Sequence, residues 1–163
     1  MNIAILSGSV YGTAEEVARH VVKRLESAGF TARYFRAASL SDIEVFAPQA
    51  VVTVTSTTGL GELPDDLQQL YHQLRDTLPS LWRGLAGGVI ALGDSAYGDT
   101  FCAGGEQMSE LYEELGVRQL LDMLRLDASE TVTPESDAEP WIDKFAQLLK
   151  ADNLDTSTAL KSS

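Results

Sequence analysis

The sequence predicts an α/β fold: a doubly wound, five-stranded parallel sheet with helices on both faces. Three observations predict it. Short apolar or β-branched runs alternate along the chain with apolar stripes at spacings of three and four, in the order βαβ(α)βαβαβα, which implies strands crossed over by helices. Glycines at 29 and 116 fall where two of those stripes end, as helix stops do. The 163 residues suit one core, with no repeat and no internal linker.

Each element follows from its own residues. Asn2–Leu6 is a short apolar run that reads as a buried strand. From Gly12 the period changes, and Ala14, Val17, Ala18, Val21, Val22, Leu25 and Ala28 form the stripe of an amphipathic helix. Thr31–Arg36 is a second strand, less apolar and therefore nearer an edge. Gln49–Thr55 is apolar and β-branched, as a central strand would be. Pro64, Asp65 and Asp66 open a helix, because proline suits a first turn and acids suit the positive helix end. Leu67, Leu70, Tyr71, Leu74 and Leu78 give its buried face. Gly87–Leu92 is the next strand. Met108, Leu111, Tyr112 and Leu115 mark another helix, and Gln119–Leu126 the last strand. Glu139–Lys150 closes the core with Trp141, Ile142, Phe145, Leu148 and Leu149. A domain over 1–150 is expected, followed by a flexible polar tail over 151–163.

Composition narrows the function. Twenty-four acids against twelve Lys plus Arg give a net charge of −12, which opposes nucleic-acid binding and favours basic protein partners. The charge is uneven: residues 1–36 carry net +2, leaving −14 for the remainder. A single cysteine excludes an intrachain disulfide and a multi-cysteine metal or iron–sulfur site. No apolar run approaches a membrane span and no signal peptide is visible, so a cytoplasmic protein is expected, with no membrane or nucleic-acid partner.

In such sheets ligands bind beyond the carboxyl ends of the strands, near the point where the strand order reverses. Three loops lie there. The first is Ser7-Gly8-Ser9-Val10-Tyr11-Gly12-Thr13. Its small residues let backbone N–H groups converge on an anion at a helix start, and its hydroxyls add donors. It is not a nucleoside-triphosphate loop, since no lysine follows Gly12, and it holds no G-x-G-x-x-G. The second is Thr55-Ser56-Thr57-Thr58-Gly59-Leu60-Gly61-Glu62-Leu63-Pro64, where the glycines would allow a peptide to change orientation. The third is Leu92-Gly93-Asp94-Ser95-Ala96-Tyr97-Gly98-Asp99-Thr100-Phe101-Cys102, whose tyrosine suits stacking on a flat ligand. Read singly, each has a plain alternative as a helix-capping turn, a polar surface loop, or a tyrosine folded on the core edge.

Together the loops resemble the flavin-binding set of the flavodoxin family. The second matches the form S-T-x-G-x-G-E-x-P-D, and the third matches G-D-S-x-Y with a following F-C. The resemblance spans about residues 1–150 and is greatest to short-chain bacterial members. It implies strand order 2-1-3-4-5 and FMN at the β1/β3 switch, a fold for which flavodoxin is itself a standard example. Val10 and Ala14 stand where the family commonly has hydroxyl residues, Thr58 where many members have an aromatic ring, and the Tyr97–Phe101 interval is one residue longer than usual.

By that resemblance the cofactor-binding residues are Ser7, Gly8, Ser9, Val10, Tyr11, Gly12 and Thr13 for the phosphate. Thr55, Ser56, Thr57, Thr58, Gly59, Leu60, Gly61, Gly93, Asp94, Tyr97, Phe101 and Cys102 surround the ring. Tyr97 would stack on one face, and Thr58 or Leu60 would cover the other. The Gly59 carbonyl would turn to accept a hydrogen bond from the flavin. Glu62, Asp65, Asp66, Asp94 and Asp99 ring the same edge and would lower the flavin's potentials and receive basic redox partners. The implied function is a one-electron carrier, not an enzyme with its own substrate. It would be a monomer between a ferredoxin/flavodoxin–NADP reductase-type donor and basic-faced acceptor enzymes. Two other readings stay open: an NAD(P)H-dependent flavin or quinone reductase on the same fold, and a flavin-free acidic adaptor. His20 and His72 lack metal-ligand spacing, and the first strand ends in Leu6-Ser7 rather than the paired acids of a phospho-receiver.

Overall fold

The computed structural model describes residues 1–162, with side chains described through Leu154. Its elements are β1 (Asn2–Gly8), α1 (Thr13–Ser27), β2 (Thr31–Arg36), α2 (Leu40–Phe46), β3 (Ala50–Thr55), α3 (Asp65–Thr77), β4 (Ala86–Gly93), α4 (Ala103–Leu115), β5 (Arg118–Gln119), β6 (Leu124–Asp127) and α5 (Pro134–Ser162). Short 3₁₀ turns at Ser80–Trp82 and Ser95–Thr100 complete the chain.

All strand pairs are parallel, in the order β2-β1-β3-β4-β5, with β6 also on β4. This is the expected order, and β2 lies on the expected edge. Alternation along β1 divides the core: Ile3 and Ile5 join α1 and α5 on one face, while Ala4 and Leu6 join α2, α3 and α4 on the other. The crossover after β1 therefore covers one face and that after β3 the opposite face. Their loops part at the β1/β3 boundary and leave a crevice. Register aligns the strand ends there, because Gly8 pairs with Thr55, Thr55 with Ala91, and Gly93 with Asp127.

Three expectations are corrected. The last strand is not continuous over Gln119–Leu126 but splits into β5 and β6. Between them Asp122 turns its carbonyl out of the ladder to accept the Trp141 indole N–H at 2.9 Å. The Trp141 ring in turn lies over Gly88 of β4, so closely that a Cβ there would sit 2.7 Å from the ring. Leu78 does not belong to the buried face of α3. It caps the helix in a left-handed conformation and is 47 % exposed, while Leu67, Leu70 and Leu74 are buried. The chain also does not leave its helix at Lys150. Residues 151–162 of the expected tail continue α5, and Arg118 of β5 holds Asp152 through two hydrogen bonds of 2.6 and 2.9 Å. Ser163 lies outside the described residues.

Candidate cofactor site

The carboxyl edge of the sheet opens into a cavity of about 470 Å³, lined by residues of four loops. From the expected set it gathers Val10, Tyr11, Thr13, Ser56, Thr57, Thr58, Gly59, Gly93, Asp94 and Tyr97, and it adds Leu92, Thr100 and Ala128.

The first loop turns on Gly12, which has a φ of +91° and forms the N-cap of α1. A left-handed backbone is what glycine adopts at least cost. Ser9 Oγ accepts the Gly12 N–H at 2.7 Å, and no side chain caps the first turn of α1 among the described residues. The helix start, with its outward N–H groups and partial positive charge, is thereby left to face the cavity beside the Thr13 side chain. Ser7 is placed differently from expectation. It is buried in β1, its hydroxyl paired with Tyr34 Oη at 2.6 Å, and it does not line the cavity. Burial raises the Tyr34 phenol above its ordinary range, so that pair stays neutral. Gly8 is also buried: a Cβ there would come within 2.7 Å of Thr55 Oγ1 and 3.0 Å of Leu67, which is how β1, β3 and α3 close together beneath the loop.

In the second loop Gly61 N–H donates to Thr58 O at 2.9 Å, and Thr58 Oγ1 accepts the Glu62 N–H at 3.0 Å. Residues 58–61 are thus a hydrogen-bonded β-turn with Gly59 and Leu60 at its tip. Gly61 follows at φ +83°. Gln107 of α4 donates to Gly61 O at 2.7 Å and fixes the turn's base. Leu60 is 84 % exposed and lies outside the cavity lining. Thr57 works as a cross-tie: its hydroxyl donates to Leu92 O at 3.4 Å and accepts the Gly104 N–H of α4 at 3.0 Å. A Cβ on Gly104 would meet Ser56 O at 2.6 Å, so the second loop and the start of α4 touch through a position only glycine can fill.

In the third loop Asp94 caps its own 3₁₀ turn by accepting the Ala96 N–H at 2.9 Å. That turn presents the Tyr97 ring on the cavity rim, 61 % exposed. Phe101 and Cys102 pack beneath the floor instead of lining it: a Cβ on Gly93 would lie 2.7 Å from Cys102 N and 3.0 Å from the Phe101 ring. Cys102 is fully buried, and burial pushes its thiol up to about 11.

A fourth loop, Asp127–Ser129 after β6, was not singled out in the sequence. Asp127 Oδ1 accepts the Ser95 N–H at 3.1 Å, the Ser129 N–H at 3.0 Å and the Ser129 hydroxyl at 2.8 Å. These donors hold its carboxyl well below the usual carboxylate range. Ala128 N–H donates to Gly93 O at 2.8 Å, which brings Ala128 to the cavity wall. The available signal was positional: Asp127 ends the last strand, as Thr55 and Gly93 end theirs.

Of the five expected edge acids, Glu62, Asp65 and Asp99 are exposed. Asp94 is half-buried in the cavity wall. Asp66 is turned inward, and its carboxylate accepts the Ser9 N–H at 3.0 and 3.3 Å. Among the described residues no cluster of His, Cys, Asp or Glu could hold a metal ion, and no helix is long and apolar enough to cross a membrane.

A doubly wound sheet whose switch point pairs a helix-start anion loop with an exposed tyrosine on an open cleft defines a flavodoxin-type protein. The family model for flavodoxin matches residues 5–141, and the chain belongs to that family. It is 39 % identical over 147 residues to flavodoxin YqcA of Escherichia coli, covering 90 % of this chain and 97 % of that protein. It is 33 % identical over 149 residues to the MioC protein of Escherichia coli, covering 91 % and 99 %. Among solved structures, a cysteine-to-alanine variant of flavodoxin from Pseudomonas aeruginosa is 66 % identical and superposes with a TM-score of 0.89, covering 92 % of this chain and 99 % of that one. The donor set of the cavity fits the family's cofactor, FMN: uncapped amides and a hydroxyl for a phosphate at one end, an exposed flat ring at the other.

Proposed function

We propose that this chain binds one FMN noncovalently and carries single electrons from a reductase of the ferredoxin/flavodoxin–NADP type to acceptor enzymes with basic faces. The observation that supports it most is one cavity shared by the uncapped start of α1 and the Tyr97 ring at the β1/β3 switch. Bound FMN would supply the one-electron chemistry. The chain's own residues bind and orient it. The α1 amides and Thr13 receive the phosphate, Tyr97 stacks, Thr58 and Gly59 present the turn to the opposite side, and Asp94 lies alongside. Glu62, Asp65 and Asp99, in the loops after β3 and β4 and at the start of α3, offer exposed negative charge to an approaching partner.

Reconstitution tests this reading. The purified protein titrated with FMN and with FAD should quench FMN fluorescence at one site per chain and prefer FMN. Equal preference for FAD, or no binding, would overturn the assignment. Steady NAD(P)H consumption with a quinone by the protein alone would instead favour the reductase reading.

A further inference from the structure

The Asp66 carboxylate lies within hydrogen-bond distance of the anion loop and receives its Ser9 N–H through both oxygens. This is unusual for a site meant for phosphate, because a negative side chain stands against the loop that must take a negative ligand. It is held there by the fold. Asp66 is the second residue of α3, and α3 is packed under the loop through Leu67 against Gly8. Of the charged groups that face it, Arg36 from β2 favours the carboxylate and Asp65 from α3 itself opposes it. Within Ser7–Gly12 the only ionisable side chain is that of Tyr11, which is 95 % exposed. Half-burial already raises the carboxyl above its ordinary range, against the Ser9 hydrogen bond that lowers it.

Resting on the FMN reading, we propose that Asp66 is a positioning residue that couples the anion loop to a proton: a phosphate bound in the loop and a proton on Asp66 favour each other. With the loop empty, the carboxylate holds the Ser9 amide in place. A doubly charged ligand arriving beside it makes the carboxylate costly, and protonation relieves that repulsion. By linkage, binding and protonation strengthen each other by the same factor. The sign follows: the penalty on phosphate is full at pH above the Asp66 midpoint and vanishes below it.

The test compares wild type with Asp66→Asn, which retains an oxygen acceptor for Ser9 but no charge. FMN, riboflavin and inorganic sulfate are the probes; sulfate stays doubly charged from pH 5 to 8, so its pH dependence reports the protein. Binding is read by flavin fluorescence, and for sulfate by the rise in Tm of the flavin-free protein. Asp66→Asn should bind FMN and sulfate several-fold more tightly than wild type at pH 8. The ratio should narrow as pH is lowered from 8 to 5, and riboflavin should show no difference at either pH. A pH-independent ratio, or equal effects on riboflavin, would overturn the proposal and leave Asp66 a structural acceptor. Should the variant not fold, the Asp66 carboxyl carbon can be titrated by NMR in wild type. Its midpoint should rise on adding FMN and stay unchanged with riboflavin; no rise with FMN overturns the proposal. Failure of wild type to bind FMN at all would instead count against the cofactor reading, and the sulfate series would still decide the role of Asp66.

Discussion

Gly59 shows how much one residue can be asked to do. It occupies the first tip position of the turn closed by Gly61 N–H on Thr58 O, and neither Gly59 nor Leu60 has a positive φ. A hydrogen-bonded turn with both central φ negative is of type I. Reversing its central peptide, whose carbonyl belongs to Gly59, needs a positive φ at Leu60 alone (type II) or at both Gly59 and Leu60 (type I′), and glycine makes the second route accessible. A Cβ on Gly59 would meet nothing within 4 Å in the present turn. Gly59→Val should therefore fold and bind FMN, yet lose ~1–2 kcal/mol in a reversed turn of type I′, which needs a positive φ at Gly59. Redox titration should show the two one-electron potentials drawing together by ~40–80 mV; an unchanged separation would mean that the turn does not reverse through a positive φ at Gly59. The loop motif made this residue legible in the sequence. Asp127 was not legible, because its role depends on amides at Ser95 and Ser129 that only the folded sheet brings to it. Its carboxyl is lowered on folding, so it stabilises the fold above the unfolded value near ~4 and loses that contribution as pH falls further. Wild type should exceed Asp127→Asn in urea stability at pH 7, and the gap should begin to narrow as pH falls below ~4 and continue to narrow in stronger acid. A gap that persisted in strong acid would place the effect elsewhere.

At the level of elements, periodicity carried the prediction where packing is simple and failed where a side chain interrupts a ladder. The stripe of α4 and the β-branched run of β3 bury what their spacing predicts, and that of α1 does so except that Val22 and Ala28 are only partly buried at its margin. The break between β5 and β6 could not be read from Gln119–Leu126, since its cause, the Trp141 indole, lies in α5. The same ring makes Gly88 a packing residue. Its missing side chain leaves room for Trp141 at 2.7 Å and Phe145 at 3.4 Å from a would-be Cβ. Both rings are stacked on each other with centroids 5.4 Å apart, so neither can tilt away without disturbing the α5 contact. Gly88→Ala should cost ~1–3 kcal/mol by overpacking. A guanidinium titration should show the lower midpoint without loss of the cavity end of the sheet, which is read by retained FMN binding. Wild-type stability would imply that α5 can shift on the sheet. The polar composition of 151–162 concealed the extension of α5, because the Arg118–Asp152 pair that anchors it joins residues 34 apart in sequence.

For the whole molecule the governing quantity is the charge distribution. Residues 1–36, which form β1, α1 and the edge strand β2, carry net +2, and the rest carries −14. Arg33 and Arg36 lie on β2, where Arg33 stacks over the Phe35 ring with 4.8 Å between guanidinium and ring centre. Glu62, Asp65 and Asp99 are exposed, on the second loop, at the start of α3 and in the third loop. The charge is thus uneven along the chain, and on the proposed function a basic partner would be steered towards the exposed acids near the carboxyl end of the sheet. Long-range attraction acts over the Debye length, ~30 Å at 0.01 M salt and ~8 Å at 0.15 M. Steered association can exceed the unsteered rate by 10–10³ and falls steeply as that length shrinks. Electron transfer from a ferredoxin-type reductase, followed by stopped flow across that salt range, should therefore slow by about tenfold or more. Location can be separated from net charge. Asp65→Lys and Asp99→Lys should each flatten the salt dependence, whereas Lys23→Glu, an exposed position on α1, changes net charge by the same size in the opposite sense and should leave the slope nearly intact. Equal and opposite slopes for the three variants would show that total charge alone steers the encounter; a flat wild-type profile would show that these exposed acids do not receive the partner.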